Sequence, residues 1–124
     1  MVEIEVSNRS GRELDVGAAA DLIREVLTAE GVADGELGLT LVGPGEIRAL
    51  KREHLGIDEE TDALAFPIDG RETVPEGVPR QLGDVVLCPQ VVGDTWRAPL
   101  VHAVLHLVGY DHGPEMQARE QAHR

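Results

Sequence analysis

Residues 102–112, HAVLHLVGYDH, hold three of the chain's five histidines in a segment that is otherwise mostly apolar. His102 and His106 are four residues apart where the pattern predicts a helix, so both side chains project from one face. Two imidazoles at this spacing can reach one metal ion at about 2.0–2.1 Å. Gly109 can adopt a positive φ, end the helix and reverse the chain, which brings His112 back over the same point.

A metal site explains this triplet better than packing does. A single histidine on an apolar helix face is more often a core residue with a hydrogen-bond partner than a ligand, but three imidazoles in one apolar patch would each need such a partner. Structural zinc is normally closed by four protein ligands, and Cys88 lies too far along the chain to be assigned as the fourth. Three ligands leave one position for water, whose pKa falls to about 7, so the pattern predicts hydrolysis.

The spacing H-x-x-x-H-x-x-G-x-x-H also matches the metzincin zinc motif, except that Ala103 stands where that motif requires Glu. In zincin proteases this carboxylate is the general base. Without it, proton delivery to an amine leaving group is lost, whereas phosphodiester cleavage can use the charge of the metal. Protease activity is therefore the weaker hypothesis.

Length and composition predict a single domain, residues 1–124, with an aliphatic core. The formal net charge of −12 is unlike that of most nucleic-acid-binding proteins. Arg48, Lys51 and Arg52 form the nearest approach to a basic cluster, which we interpret as a solvated helix face. No apolar run reaches membrane-spanning length and no secretory signal is visible, so we expect a cytoplasmic protein with no membrane partner.

Hydrophobic periodicity predicts the order β-α-β-α-β-loop-β-α, with a short polar helix or a frayed tail at the end. This order indicates an α+β or α/β layered domain with helices covering a sheet of about four strands, the strand from residue 83 being central. The predicted strands are 2–6, 36–43, a short apolar strand that follows a polar turn within 57–67, and 83–89. Pro67 ends the short strand or confines it to a sheet edge. The predicted helices are 16–31, 46–56 and 93–109, the exposed loop is 68–82 and the tail is 113–124.

Three segments, in order, resemble the YbeY family of bacterial metal-dependent endoribonucleases. VHAVLHLVGYDH (101–112) is similar to the family's histidine signature. TDALAFP (61–67) resembles its T-D-V-L-S-F-P, and LGDVVLCPQVV (82–92) resembles its L-G-D-[IV]-x-[IV] strand. The resemblance spans about residues 36–115.

The resemblance implies a zincin-like α+β fold with a mixed sheet and one zinc on His102, His106 and His112, although Ni²⁺ and Fe²⁺ also suit imidazoles. It also implies a single-strand-specific endoribonuclease in 16S rRNA 3′ maturation and ribosome quality control. The partners would be single-stranded rRNA and the small ribosomal subunit, or a protein bound to that subunit, with no role for DNA. Two alternatives stay open: a ribosome-associated metal-binding protein with weak or no catalysis, and a metallohydrolase of another phosphoester or amide.

The sequence departs from the family pattern at several positions. Ala103 replaces the usual Gly, Lys51 a usual Asn and Ala65 a usual Ser. Leu55 stands where an Arg is common, and such an Arg is a natural phosphate clamp. Lys51 or Arg52, about one turn earlier, are candidates to replace it. The stretch before His102 is about ten residues shorter than usual, so the helix that carries the histidines should start later.

Four other residues are candidates to support the metal ligands from outside: Thr61, Asp62, Asp84 and Asp111. Asp62 could orient a ligand or a water, or equally cap a turn, and Asp84 has the same two interpretations. Asp111 could hydrogen-bond to a ligand histidine or cap the turn after the helix. We expect three further residues to be non-functional: exposed His54 and His123, and Cys88 buried in its strand. No residue is assigned as general acid.

Overall fold

The computed structural model describes residues 1–59 and 61–123, which form four β-strands and five α-helices. Glu60, in the predicted polar turn, and Arg124, in the predicted tail, lie outside the described residues. The strands are β1 (Val2–Asn8), β2 (Gly35–Leu41), β3 (Ala63–Pro67) and β4 (Gln81–Leu87). The helices are α1 (Val16–Ala29), α2 (Pro44–Leu55), α3 (Pro89–Val92), α4 (Arg97–Leu107) and α5 (Pro114–Ala122).

The strands form one mixed sheet in the order β1-β2-β4-β3. β1 runs parallel to β2 and β2 parallel to β4, whereas β3 runs antiparallel to β4. The continuous apolar run of β4 is therefore central, as predicted. β3 lies at the edge and ends at Pro67, which has no N–H to donate to a further ladder. The predicted α+β class and mixed sheet are confirmed.

The main core lies between one face of the sheet and helices α1 and α4. All the apolar residues predicted to face it from α1 and β2 are buried: Ala19, Leu22, Ile23, Val26, Leu27, Leu37, Leu39 and Leu41. On the other face, α2 packs against β3 and β4. The smaller core there contains Cys88, which is fully buried, as predicted. The histidine-bearing helix α4 is thus held between α1 and the sheet, beside edge strand β3.

The predicted boundaries around β4 and α4 are wrong by several residues. β4 covers Gln81–Leu87 instead of 83–89, because Pro89 begins the short helix α3, which the pattern did not indicate. Residues 93–95 form a 3₁₀ turn that starts at Gly93, with φ of 53°, so α4 begins only at Arg97. This late start agrees with the shorter stretch before His102.

The C-terminal segment forms helix α5, not a frayed tail. The prediction that His123 is exposed is wrong: its side chain is only 7% exposed, and its Nε2 lies 3.1 Å from the Glu30 carboxylate. The cause is tertiary docking of α5, which local sequence does not encode. His54 is exposed, as predicted. Among the described residues, no helix combines the length and the apolar character needed to cross a membrane.

Candidate metal centre

His102 and His106 lie on the side of helix α4 that is not packed into the hydrophobic core. Its apolar residues are buried on nearly every other side: Leu100, Val101, Ala103, Val104, Leu105 and Leu107. A helix that is apolar almost all round is held rigidly by its neighbours. His102 and His106 are half-buried on the remaining strip, so their backbone positions are set by core packing.

The turn after α4 returns a third histidine to the same point. Gly109 has a φ of 101°, which side-chain-bearing residues rarely adopt. Its N–H donates to the His106 carbonyl at 3.1 Å, and the Tyr110 N–H donates to the Leu105 carbonyl at 3.1 Å. The chain therefore reverses within three residues and places exposed His112 over the helix, as the sequence predicts.

The three imidazole rings converge. Ring centroids of His102 and His106 are 4.7 Å apart, those of His106 and His112 are 4.7 Å apart, and those of His102 and His112 are 5.0 Å apart. One nitrogen from each ring lies within 4.8 Å of the others. Within residues 1–59 and 61–123, this is the one group of His, Cys, Asp or Glu side chains close enough to hold a metal ion together.

Two of the rings are oriented by hydrogen bonds at Nδ1, the outer nitrogen, which points away from the other histidines. His106 Nδ1 donates to the Tyr110 carbonyl at 2.8 Å, because a carbonyl can only accept. His102 Nδ1 lies 2.7 Å from Glu120 Oε1 of α5. Sequence reasoning missed Glu120, which is eighteen residues away along the chain in a segment without a motif. A carboxylate on the outer nitrogen of a ligand histidine is a common support in metal sites.

The chemistry of these donors fits a divalent metal. With both outer nitrogens donating, the Nε2 atoms of His102 and His106 face each other as lone pairs, only 3.1 Å apart. Such a pair is stabilised when a proton or a cation lies between the nitrogens. Ligands at 2.0–2.1 Å from a tetrahedral ion are about 3.3 Å apart, close to the separation found here.

The His106 ring is also electrostatically disposed to stay neutral. Burial lowers its pKa, and the neighbouring His102 lowers it further, against the Tyr110 carbonyl and the Asp111 charge, which raise it. Neutral imidazole is the form that binds metal.

The histidines line a cleft of about 1020 Å³ between α4, β3 and the loop that follows β3. Thr61, Asp62 and Asp111 line the same cleft, so three of the four predicted supporting residues lie near the histidines. Asp62 Oδ1 accepts the Ala63 N–H at 2.7 Å, which is the local capping interaction considered as its alternative role. Asp111 is exposed. The sequence offered it as a possible hydrogen-bond partner of a ligand histidine, but His106 Nδ1 donates to the Tyr110 carbonyl instead.

Asp84 is not brought to the cluster. It pairs with Phe66 across β3 and β4 and lies on the sheet face that packs against α2, whereas α4 covers the opposite face. Cys88 belongs to the small core on that same far face. Cys88, which directly follows β4, therefore does not add a sulfur atom as a fourth ligand at the three-histidine site.

At the cleft, the residues that depart from the family pattern are either uncharged or already paired with a carboxylate. Leu55 is 57% exposed at the cleft, and Ala65 lines it. Lys51 also lines it, but its Nζ donates to Glu59 at 2.7 Å. Arg52 is exposed and is not part of the lining. Of the two proposed replacements for an Arg, only Lys51 reaches the cleft. Ala103 is 3% exposed, so the helix accommodates its methyl group.

Acidic groups outnumber basic ones in the cleft lining. Arg71, which the sequence patterns did not indicate, also lines the cleft. Its guanidinium donates to the carbonyls of Val108 and Glu30, both at 3.0 Å. The ionisable lining groups other than histidine are five carboxylates and two cations: Asp62, Asp69, Glu72, Asp111 and Glu120 against Lys51 and Arg71. The protein part of the cleft is thus negative.

Glu30 is buried at the end of α1 and contacts side chains from both α5 and the turn that follows α4. Its carboxylate accepts from Tyr110 Oη at 2.7 Å and from Arg119 Nε at 2.8 Å, and His123 Nε2 is 3.1 Å away. Burial opposes ionisation of this side chain, but the hydrogen bonds from Tyr110, Arg119 and His123 prevail and lower its pKa to about 2.

Glu30 should make folding stability sensitive to acid. Its pKa lies below the ordinary 4.5, so its contribution is complete above about pH 4.5 and is lost as the pH falls towards about 2. At any pH from 5 to 7, the free energy of unfolding of Glu30→Gln, measured with urea, should be lower than that of the wild type by on the order of 3 kcal/mol. The gap should narrow steadily from pH 4.5 to pH 3, and a gap that stays constant over that range would contradict the assignment.

The chain is similar to known proteins over most of its length. A family model described as endoribonuclease YbeY matches residues 5–124. Endoribonuclease YbeY of Salinispora tropica is 34% identical over 139 residues, which cover 96% of this chain and 88% of that protein. Endoribonuclease YbeY of Acidothermus cellulolyticus is 37% identical over 136 residues, which cover 94% and 83%. A Thermotoga maritima protein solved in solution shares the fold, with a TM-score of 0.61 at 24% identity, and the match covers 97% and 85% of the two chains.

Proposed function

This chain belongs to the endoribonuclease YbeY family, and from that membership we propose that it is a zinc-dependent endoribonuclease that cleaves single-stranded RNA. The proposed ligands are His102, His106 and His112, which hold one ion per chain. The observation that carries this proposal is the convergence of three imidazoles within 4.8 Å at an open cleft. Ni²⁺ and Fe²⁺ suit the same donors, so zinc is the first metal to test.

A divalent ion bound there supplies Lewis-acid polarisation of a phosphoryl group and activation of water at neutral pH. The chain's own residues keep the ligands ready for it. Glu120 and the Tyr110 carbonyl hold the outer nitrogens of His102 and His106, which keeps the Nε2 atoms unprotonated and directed at one point. Three ligands from one rigid helix and its turn leave one side of the site facing the cleft.

The dimensions of the cleft and the missing carboxylate favour a polynucleotide over a peptide. A volume of about 1020 Å³ is at the upper limit of small-molecule sites, roughly 300–1,000 Å³, and suits a stretch of polymer. Ala103 follows the first ligand, so the general base of zincin proteases is absent from that position. Phosphodiester hydrolysis does not require proton delivery to an amine.

The negative cleft should make RNA binding depend on cations. Five carboxylates face two cations that are already engaged by protein oxygens. A phosphate chain therefore gains little from the protein alone, in contrast to ordinary nucleic-acid binders. We expect the resident metal, or a docking partner, to provide the missing positive charge.

The proposed substrate is the 3′ region of 16S rRNA in the cytoplasm, on or near the small ribosomal subunit, during maturation and quality control. DNA is not a proposed substrate. Residues 1–124 are proposed to act as a single metallohydrolase domain. One alternative is favoured by a specific observation: Leu55 is an exposed apolar residue at the cleft where a phosphate clamp would be useful, which fits a ribosome-binding protein with weak catalysis.

Metal removal tests the proposed activity. Zinc-loaded protein should cleave a single-stranded RNA with the 3′ precursor sequence of 16S rRNA, and treatment with a chelator should lower the rate at least about a hundredfold. One equivalent of Zn²⁺ should restore it. The matched substrates are the same RNA in a duplex and the same sequence as single-stranded DNA, both of which should stay intact. Cleavage that survives chelation would contradict the proposal, and binding to small subunits without cleavage would favour the alternative.

A further inference from the structure

The side chain of Glu30 is 2% exposed, although it lies on a helix end, where a carboxylate is normally solvated. Besides the contacts from Tyr110, Arg119 and His123, Arg71 Nη2 lies 3.5 Å from its Oε1. Removing a carboxylate from water is costly, and apolar residues often stabilise a core equally well. The cluster therefore calls for an explanation beyond packing.

One set of contacts leads from Glu30 to two of the histidines through Tyr110. The Tyr110 hydroxyl donates to Glu30 at 2.7 Å, and the carbonyl of the same residue accepts from His106 Nδ1 at 2.8 Å. With its side chain held at Glu30, the backbone of Tyr110 cannot rotate freely. The same turn carries His112 two residues later, so its path is restrained as well.

A second set leads through α5. Arg119 pairs with Glu30, and its neighbour Glu120 holds His102 Nδ1 at 2.7 Å. His123, one turn further on, contacts Glu30 as well. These contacts fix the position of α5 and so bring Glu120 to His102. His106 thus bonds directly to a residue that Glu30 holds, and His112 lies two residues after it. His102 bonds to Glu120, the neighbour of Arg119, which Glu30 also holds.

We propose that Glu30 is a positioning residue of the metal centre: it holds Tyr110 and α5 so that the supports of His102 and His106 stay in place. The proposal rests on the metal-binding part of the proposed function. Glu30 lies outside the cleft lining, so it acts through its neighbours and not on the metal or the substrate.

The test is the zinc affinity of folded Glu30→Gln, measured by competition with a chromophoric chelator, with folding checked by circular dichroism. Loss of a support of this kind lowers metal affinity about 10–100-fold, and because Glu30 acts indirectly we expect about tenfold. The visible absorption of Co²⁺-loaded protein should also change, because the ligand geometry shifts. Ile47→Ala is the matched control: Ile47 is fully buried in the small core on the opposite face of the sheet, to which neither Tyr110 nor any α5 residue belongs. Its loss lowers stability, but zinc affinity should stay within about twofold of the wild type.

Two milder variants keep the test decisive if Glu30→Gln does not fold. Tyr110→Phe removes only the hydroxyl and keeps the carbonyl, and Arg119→Gln removes only the α5 contact; each should lower zinc affinity about threefold. Affinities and Co²⁺ spectra that match the wild type, in Glu30→Gln or in both milder variants, would overturn the proposal. Failure of the wild type itself to bind metal would instead contradict the proposed function.

Discussion

Replacement of His106 by alanine is expected to lower RNA cleavage by about a thousandfold and to reduce bound zinc from about one ion per chain to near zero. His106 has the largest expected effect because its ring lies 4.7 Å from both other imidazole rings. Burial lowers the pKa of the His106 ring, which favours the neutral, metal-binding form. Activity on single-stranded RNA and elemental analysis of the same preparations measure the two losses together.

His54→Ala is the matched control, since it removes an imidazole from α2 that does not belong to the cluster. His54 is exposed and contacts Phe66 at a ring distance of 4.9 Å. We expect unchanged zinc content and activity within about twofold of the wild type. Equal activity in wild-type and His106→Ala preparations would point to a contaminating nuclease and would leave the binding-only alternative in place.

Gly83→Ala is expected to have the largest effect on stability, a loss of about 4 kcal/mol. Gly83 has a φ of 124°, and a Cβ there would lie 2.1 Å from the Phe66 carbonyl oxygen and 3.0 Å from Pro67 Cα. Both obstacles are backbone atoms of β3, so they cannot move aside without breaking the pairing of β3 with β4. A domain of ordinary stability, about 5–15 kcal/mol, would lose much of its margin.

Urea unfolding of Gly83→Ala and Gly45→Ala, followed by circular dichroism, measures this effect. Gly45 lies in the first turn of α2, where an added Cβ would have no atom within 4 Å, so Gly45→Ala should be neutral or slightly stabilising. Because β3 lines the cleft, folded Gly83→Ala should also cleave RNA more slowly. A loss below about 1 kcal/mol would show that β3 can shift at little cost and does not hold the cleft rigidly.

The sequence predicts the histidine cluster and the buried face of β2 well, because both follow from patterns within a few consecutive residues. The spacing of His102, His106, Gly109 and His112 defines a helix, its end and a reversal within eleven residues. Likewise, the alternation of Leu37, Leu39 and Leu41 identifies the buried face of β2. Each of these features depends on backbone geometry over a few residues.

What the sequence does not predict depends on distant contacts. Glu120 meets His102 only because α5 docks, and Glu30 meets Arg119 across eighty-nine residues. No spacing rule connects such pairs. Asp84 was a candidate to orient a ligand or a water, or to cap a turn, and it lies on the far face of the sheet. Which face of a strand meets which helix is decided by the packing of the whole sheet.

The most direct test is the coordination of zinc in the loaded protein, by crystallography with anomalous scattering at the zinc edge. We expect one ion per chain, bound by nitrogen atoms of His102, His106 and His112 at about 2.0–2.1 Å, with a fourth position open to the cleft. Glu120 should stay on the outer nitrogen of His102. An ion closed off by a fourth side chain, or imidazoles that point apart with zinc bound elsewhere, would contradict a three-histidine hydrolytic site.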